Sequence, residues 1–339
     1  MALPKVAVAS LGGTITMTPG DGDGGVAPTL GAADLMAAVP GLDRVARIET
    51  ATLAALPSAS LSFGDVLAAL TWAGAVVDSG AAGVVLIQGT DTMEETAYLL
   101  DLYWDRPEPL VVTGAMRSAH APGAEGPANL LASVRTAAAP ASRGQGTVVV
   151  MNDVIHAAGR VRKSDSASTN AFTSPNFGPV GYIRESSVVY GSRPARWPSL
   201  APPPGDTSPR IALVEVCLGD DGGLLRLAHA DGYDGVVVGA FGAGHVSNRF
   251  AEVVSQVAQA MPVIFATRTG SGTTLSRTYD FVGSESDLLR RGAVAAGWLH
   301  PRKARILLWS LVAAKASRPD IAAEFARRGG LLDPVPEHE

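Results

Sequence analysis

Residues 81–104 read AAGVVLIQGTDTMEETAYLLDLYW, and this stretch constrains the fold more than any other. Val84-Val85-Leu86-Ile87 is wholly apolar and mostly β-branched, the pattern of a strand buried on both faces of a parallel sheet. It stops at Gln88-Gly89. Thr92 followed by Glu95 has the spacing of a capping box, and Met93, Ala97, Leu100 and Trp104 recur at helical intervals, so a helix is expected within a residue or two of the strand's end. In an open α/β sheet the carboxyl end of a strand meeting a helix N-terminus is where ligands bind. Gly89-Thr90-Asp91 occupies that place. Thr and Asp are also preferred helix caps, so the pair taken alone reads first as capping, with chemistry as the alternative.

The same rhythm recurs along the chain. Lys5 to Leu11 is another buried-strand run, and it enters Gly12-Gly13-Thr14-Ile15, where two glycines permit a sharp turn close to a ligand and leave the Thr14 hydroxyl at the mouth of the sheet. Residues 16–30 hold Gly20, Gly22, Gly24 and Gly25 and read as a loop, either a lid or plain surface. Helices are expected over Ala32 to Val39 and Ala59 to Val77, the latter placing Ser58 near a helix start. Pro109 to Thr113 is a further strand leading into Gly114-Ala115-Met116-Arg117, a helix follows through Ala138, and Gly146 to Asn152 is the next strand. Arg160, Arg162 and Lys163 then form a cluster that reads as a solvated charge run, the usual fate of such clusters, with a catalytic lysine at the ligand end of the sheet as the alternative.

From Pro194 to Pro209, six of sixteen residues are proline, which neither a helix nor a central strand accommodates. We therefore expect an N-terminal domain over 1–193, a linker over 194–209 and a C-terminal domain over 210–339. The last repeats the α/β rhythm, with strands at Ile211 to Val216, Gly235 to Val238 and Val263 to Thr267 and helices at Arg249 to Ala260, near 285–291 and over 301–315.

Composition narrows the class of partner. With 47% hydrophobic and 17% charged residues among 339, the chain can bury a full core, and a net charge of −5 with no basic stretch argues against nucleic acid or an anionic membrane surface. A small-molecule substrate is the expected partner. The opening MALPKVAVAS has neither the charge nor the apolar length of a secretory leader, and no run is long enough for a membrane span, so a cytoplasmic location is expected. Cys217 is the only cysteine, which excludes an internal disulfide and a cysteine-based zinc cluster. Set in IALVEVCL, it reads as core filler.

Two strand ends thus each deliver a glycine and a threonine, and the second adds an aspartate. A threonine hydroxyl is a poor nucleophile until a group takes its proton. Thr90, Asp91 and Lys163 contain such groups: burial lowers a lysine's pKa and a carboxylate raises it, so a balanced lysine can relay a proton through a hydroxyl. Backbone N–H groups of the glycine turns and the helix N-terminus suit an oxyanion. No cofactor, metal or phosphate is called for.

These motifs resemble those of the bacterial-type L-asparaginases and related glutaminase-asparaginases. SLGGTIT is similar to that family's first threonine motif and LIQGTDTMEETAYLLDL to its second. The likeness continues through VTGAMRSAHAPGAEGPANL, VVMNDVIHAAGRVRKSDSASTNAFTSPNFGPVGYI and LHPRKARILL, and so covers nearly the whole chain. The resemblance implies an α/β fold, with a larger N-terminal doubly wound sheet domain and a smaller C-terminal α/β domain. It also implies hydrolysis of the side-chain amide of L-asparagine to aspartate and ammonia, with minor glutaminase activity. Thr14 matches the nucleophile, Thr90 and Lys163 the second threonine and its lysine, and Asp91 a carboxylate that also holds the substrate's α-ammonium. Ser58 matches the α-carboxylate ligand, Ala115 a backbone contact to substrate, and Glu285 a glutamate donated across a subunit interface, with His245 near the same interface. A homodimer or homotetramer follows from that last feature.

The chain departs from the family at two points. No tyrosine stands in residues 16–30, where the family carries one bonded to the first threonine; the first in this chain is Tyr98, and Tyr182 and Tyr190 are the candidates for a replacement. Ala59 stands where glutamine usually follows the substrate-binding serine. Two alternatives to the asparaginase reading stay open: an amidase of the same fold acting on a larger amide, such as the glutaminase subunit of a transamidation complex, and a non-catalytic module that binds an amino acid.

Overall fold

A computed structural model describes residues 2–19, 26–28, 30–203 and 208–331. The chain divides into two compact units, Met1–Ser199 and Leu200–Glu339. In the first, the strands are β1 (Lys5–Ser10), β2 (Met17–Pro19), β3 (Val26–Pro28), β4 (Arg47–Thr52), β5 (Gly83–Ile87), β6 (Leu110–Thr113), β7 (Thr147–Met151), β8 (Val154–Ala157), β9 (Arg162–Lys163), β10 (Phe172–Thr173), β11 (Gly181–Arg184) and β12 (Ser187–Tyr190). Its helices are α1 (Ala32–Ala37), α2 (Phe63–Asp78), α3 (Met93–Tyr103) and α4 (Gly126–Ala138).

Eight strands form one mixed sheet in the order β12-β11-β8-β7-β6-β5-β1-β4. The half from β7 to β4 is parallel, as the apolar runs require, because crossover helices bury both of its faces. Val6, Val8, Val85, Ile87, Val111, Val148 and Val150 point to a core shared with Leu35 and Met36 of α1 and Leu130 and Val134 of α4. The alternate residues Ala7, Ala9, Val84 and Leu86 are equally buried, and α2 and α3 pack on that side. From β1 the chain runs to β4 on one side and later to β5 on the other, so the order reverses at β1. Such a switch point leaves a crevice outside the carboxyl ends of the strands.

The antiparallel half was not foreseen in the sequence. Asn152 and Asp153, both with positive φ (53° and 61°), form a two-residue turn that folds β8 back on β7 with Met151 opposite Val154. β11 and β12 continue this antiparallel order to the sheet's edge, while β9 and β10 form a separate small ladder. Two local expectations also shift. The α2 helix starts at Phe63 rather than near 59, because Ser62 and Asp65 make the capping box there, and Ser58–Ser60 is a single 3-10 turn. The expected Thr92–Glu95 capping box does not form: Thr92 is the N-cap of α3 but makes no capping bond, its hydroxyl donating instead to the Ser58 carbonyl at 3.0 Å.

The second unit carries a parallel sheet, β13 (Ile211–Glu215), β14 (Gly235–Ala240), β15 (Val263–Thr267) and β16 (Val294–Ala295), in sequence order. Its helices are α5 (Gly223–Ala230), α6 (Asn248–Ala260), α7 (Glu285–Arg290), α8 (Pro301–Ala313) and α9 (Arg318–Arg328). Val236, Val238 and Phe265 of the sheet pack with Phe250, Val254 and Val257 of α6. Cys217 is a correction to the sequence reading. It lies beyond the end of the edge strand β13 and is exposed, so it is no part of the core.

Candidate active site

The registers Ser10 opposite Thr52, Ser10 opposite Ile87 and Ile87 opposite Thr113 level the carboxyl ends of β4, β1, β5 and β6. Each of these strands therefore sends its following segment out at one edge, and those segments carry Ser58, Thr14, Thr90-Asp91 and Ala115 in turn. After β1, Gly12 and Gly13 take φ of +105° and +96°, a region open to glycine and strained for other residues. The turn passes so close to its neighbours that a β-carbon on Gly13 would lie 2.1 Å from the Gly89 nitrogen, and one on Gly12 would lie 2.5 Å from the Leu56 backbone. A β-carbon on Gly89 would in turn lie 2.7 Å from Ser58 Oγ. Three segments distant in sequence thus touch through positions that lack a side chain. Thr14 and Thr90 each follow one member of the Gly13–Gly89 contact.

Thr14, half buried, opens a 3-10 turn over Thr14–Thr16, with the Thr16 hydroxyl donating to the Gly13 carbonyl at 2.7 Å. Thr16 is fully buried, so its hydroxyl holds the turn rather than facing a ligand. β2 and β3 pair as a short hairpin within 16–30; the glycines counted there and Thr29 lie outside the described residues. Ser58, 3% exposed, accepts from the Asp91 backbone N–H at 3.2 Å, which links the segment after β4 to the start of α3. Ala59 is exposed beside it.

Lys163 reaches this edge from the β9–β10 ladder. Its Nζ donates to Thr90 Oγ1 at 2.9 Å and to Asp91 Oδ1 at 2.7 Å. The Lys163 side chain is 13% exposed and that of Asp91 68%, so the ammonium is largely enclosed while the carboxylate faces out. Of the two sequence readings for the basic cluster, this geometry selects the lysine at the ligand end. A hydroxyl, an ammonium and a carboxylate within hydrogen-bond reach can pass a proton and meet the charges of an amino-acid ligand. Ala115 is fully buried beyond β6. Its segment is pinned by Asn129 Nδ2 donating to the Gly114 carbonyl at 2.9 Å and by Glu125 accepting from the Met116 N–H.

Three groups that serve this edge escaped the sequence reading: Asn129, Glu125 and Glu94, the last accepting from the Lys163 backbone N–H at 2.6 Å. Each looks like an ordinary helix residue, and nothing short of the fold reveals its partner. Tyr182 and Tyr190 are not near Thr14. They stand on β11 and β12, five and six strands from β1, which at roughly 4.8 Å per strand is on the order of 24 Å or more. The Tyr190 hydroxyl donates to Ser142 Oγ at 3.0 Å, and burial raises its pKa.

Glu285 stands in the second unit, fully buried. One carboxylate oxygen accepts from the Thr278 and Tyr279 N–H groups at 2.9 and 2.8 Å, and the other lies 3.1 Å from His245 Nε2. Burial pushes its pKa up, but the bonds from Tyr279, Thr278 and His245 outweigh that and hold it below the usual carboxylate value. The Glu285 carboxylate is thus engaged within its own unit. The His245 ring is flanked edge-on by Tyr279 at 4.8 Å and Phe281 at 5.1 Å.

Known proteins match this chain along its length. The family model described as asparaginase, N-terminal, matches residues 5–196, and the glutaminase/asparaginase C-terminal domain model matches 210–325. L-asparaginase 2 of Escherichia coli strain K12 is 33% identical over 320 residues, covering 91% of this chain and 88% of its own. One of the subunits of the glutamyl-tRNA(Gln) amidotransferase of Methanosarcina acetivorans is 30% identical over 327 residues, covering 91% of this chain but 74% of its own. Among solved structures, the probable cytoplasmic L-asparaginase from Campylobacter jejuni superposes with a TM-score of 0.85 at 28% identity, covering 95% of this chain and 99% of that one. Both units are thereby accounted for by one family, and the chain belongs to the asparaginases, a family of amidohydrolases.

Proposed function

We propose that this protein hydrolyses the side-chain amide of L-asparagine to L-aspartate and ammonia, with glutamine as a minor substrate. The observation that carries the reading is the contact of Lys163 Nζ with both Thr90 Oγ1 and Asp91 Oδ1 beside the Gly13–Gly89 contact. On this reading the Thr14 hydroxyl attacks the amide carbon; its proton leaves with the nitrogen as ammonia, and the acyl ester on Thr14 is then hydrolysed by water. Lys163 and Thr90 manage the proton of the second step. Asp91, the most exposed of the group, receives the α-ammonium, Ser58 the α-carboxylate, and Ala115 contacts the amide through its backbone.

Ammonia release over a panel of free amino-acid amides tests the reading: asparagine is expected to turn over fastest, and Thr14→Ala to abolish turnover while still binding aspartate. A panel in which no free amide is hydrolysed would favour the larger-amide reading, which the amidotransferase relative motivates.

We also propose that the active unit is a homo-oligomer, a dimer or a tetramer. Tyr279, Phe281 and Val282 are 44%, 49% and 46% exposed in one segment, a patch more apolar than a face meeting water alone requires. Glu285 acts there through the segment it anchors. A fully active monomer by light scattering would reject this. We propose a cytoplasmic location as well, which the likeness to the probable cytoplasmic L-asparaginase of Campylobacter jejuni supports; recovery of the protein from the periplasm on fractionation would reject it.

A further inference from the structure

We propose that Glu94 is a positioning residue for the reaction: its carboxylate fixes the Lys163 main chain so that the ammonium meets Thr90. This inference rests on the role proposed for Lys163. β9 is only two residues long, so its own ladder, Lys163 opposite Phe172 and Arg162 opposite Thr173, gives Lys163 little hold. Beyond that ladder and the bonds of Ser164 to the Ala171 carbonyl, support comes from the start of α3 and the turn before it. Glu94, 2% exposed, accepts from the Lys163 N–H at 2.6 Å, while Thr90 and Asp91, four and three residues earlier, engage Nζ at 2.9 and 2.7 Å. The start of α3 and the turn just before it therefore grip the lysine at both ends, main chain and ammonium. Glu94 stands in the first turn of α3, where the helix dipole favours a carboxylate.

The opposite side of the ladder is held independently. Ser174, one residue past β10, lies 2.9 Å from His156 Nδ1, and both residues are buried. β10 is thus tied to the main sheet through β8, and Glu94 ties β9 to α3. With β10 fixed, loss of the Glu94 bond releases Lys163 alone. A displacement of about 1 Å at a proton-transfer group costs on the order of 100-fold in rate.

The test is a set of substitutions read as kcat and KM separately, with thermal unfolding as a check on folding. Glu94→Ala is expected to lower kcat about 100-fold with KM within about threefold. Glu94→Gln keeps an oxygen at the same reach and should recover kcat to within about tenfold of the parent. Glu94→Asp keeps the charge but shortens the reach, and should fall below Glu94→Gln. Because Glu94 acts only through Lys163, adding Glu94→Ala to Lys163→Met should lower the remaining rate by no more than about twofold.

A parental kcat in Glu94→Ala, a loss confined to KM, Glu94→Asp outperforming Glu94→Gln, or a full additional loss on the Lys163→Met background would each overturn the proposal. Should Glu94→Ala not fold, the order of the Gln and Asp variants decides. An inactive Lys163→Met beside fully active Glu94 variants sinks this inference alone, whereas an active Lys163→Met sinks the proposed function of Lys163 with it.

Discussion

Gly13 and Gly89 meet backbone to backbone, so close that a methyl on Gly13 would run into the Gly89 main chain, and the next residue after each is a threonine. The contact joins the segments after β1 and β5, the two neighbouring strands at the reversal of sheet order. The parallel sheet fixes the height of these segments, and the absence of side chains sets their separation. Gly13→Ala should therefore lose nearly all turnover and destabilise the fold by more than the ~1–3 kcal/mol of backbone strain alone. Gly41 offers the control, with φ of +81° and nothing within 4 Å of its missing β-carbon. Gly41→Ala should cost only the strain and leave kcat unchanged; equal effects in the two variants would show that the close contact is not what turnover depends on.

Replacing Lys163 by methionine keeps the length and removes the ammonium that contacts Thr90 and Asp91. Lys163→Met is expected to lower kcat by at least about 100-fold, on the order of 3 kcal/mol of barrier, while KM changes by less than about tenfold. Steady-state kinetics on asparagine separate the two, and a change confined to KM would make the lysine a binding group.

Burial lowers the pKa of His156 from 6.5 to about 4, so the native protein holds this ring neutral. A base whose folded pKa is depressed binds fewer protons folded than unfolded between those values, so the neutral ring carries no protonation penalty above pH 6.5 and stability falls as the pH drops from about 6.5 to about 4. At pH 5 the loss from this group is about 2 kcal/mol. Urea unfolding of the parent and of His156→Gln at pH 7.5 and pH 5 measures it: the difference in stability between the two pH values should be smaller by about that amount in the variant. An unchanged difference would place the titration elsewhere.

Glu285 organises the segment leading into α7 by accepting from two consecutive N–H groups. Glu285→Ala leaves the Thr278 and Tyr279 donors without that partner and should cost on the order of 3 kcal/mol of stability. Amide hydrogen exchange should accelerate at residues 278 and 279 in particular. Unchanged protection at both amides would show that the segment is held by other means.

The sequence by itself determined the parallel half of the main sheet, because continuous apolar β-branched runs ended by glycine have few other ways to bury both faces. It also singled out Thr14, Thr90 and Asp91, since a strand end followed by glycine and a hydroxyl is a local pattern. The antiparallel half and the separate β9–β10 ladder stayed hidden: β9 and β10 are two residues each and β12 is largely exposed, so none of these three carries a hydrophobic period. The capping box expected at Thr92 failed because its hydroxyl found the Ser58 carbonyl, 34 residues away in sequence. The exposure of Cys217 and the bonds that engage Glu285 were out of reach for a related reason, as exposure and hydrogen-bond partners belong to the packed fold and not to the neighbouring residues. Only the tertiary structure brings Lys163 to Thr90 and Asp91, since these partners lie 73 and 72 residues back along the chain. Spacing in sequence fixes which face of an element a side chain takes; which groups from distant elements then meet is decided when the strand ends are brought level by the sheet.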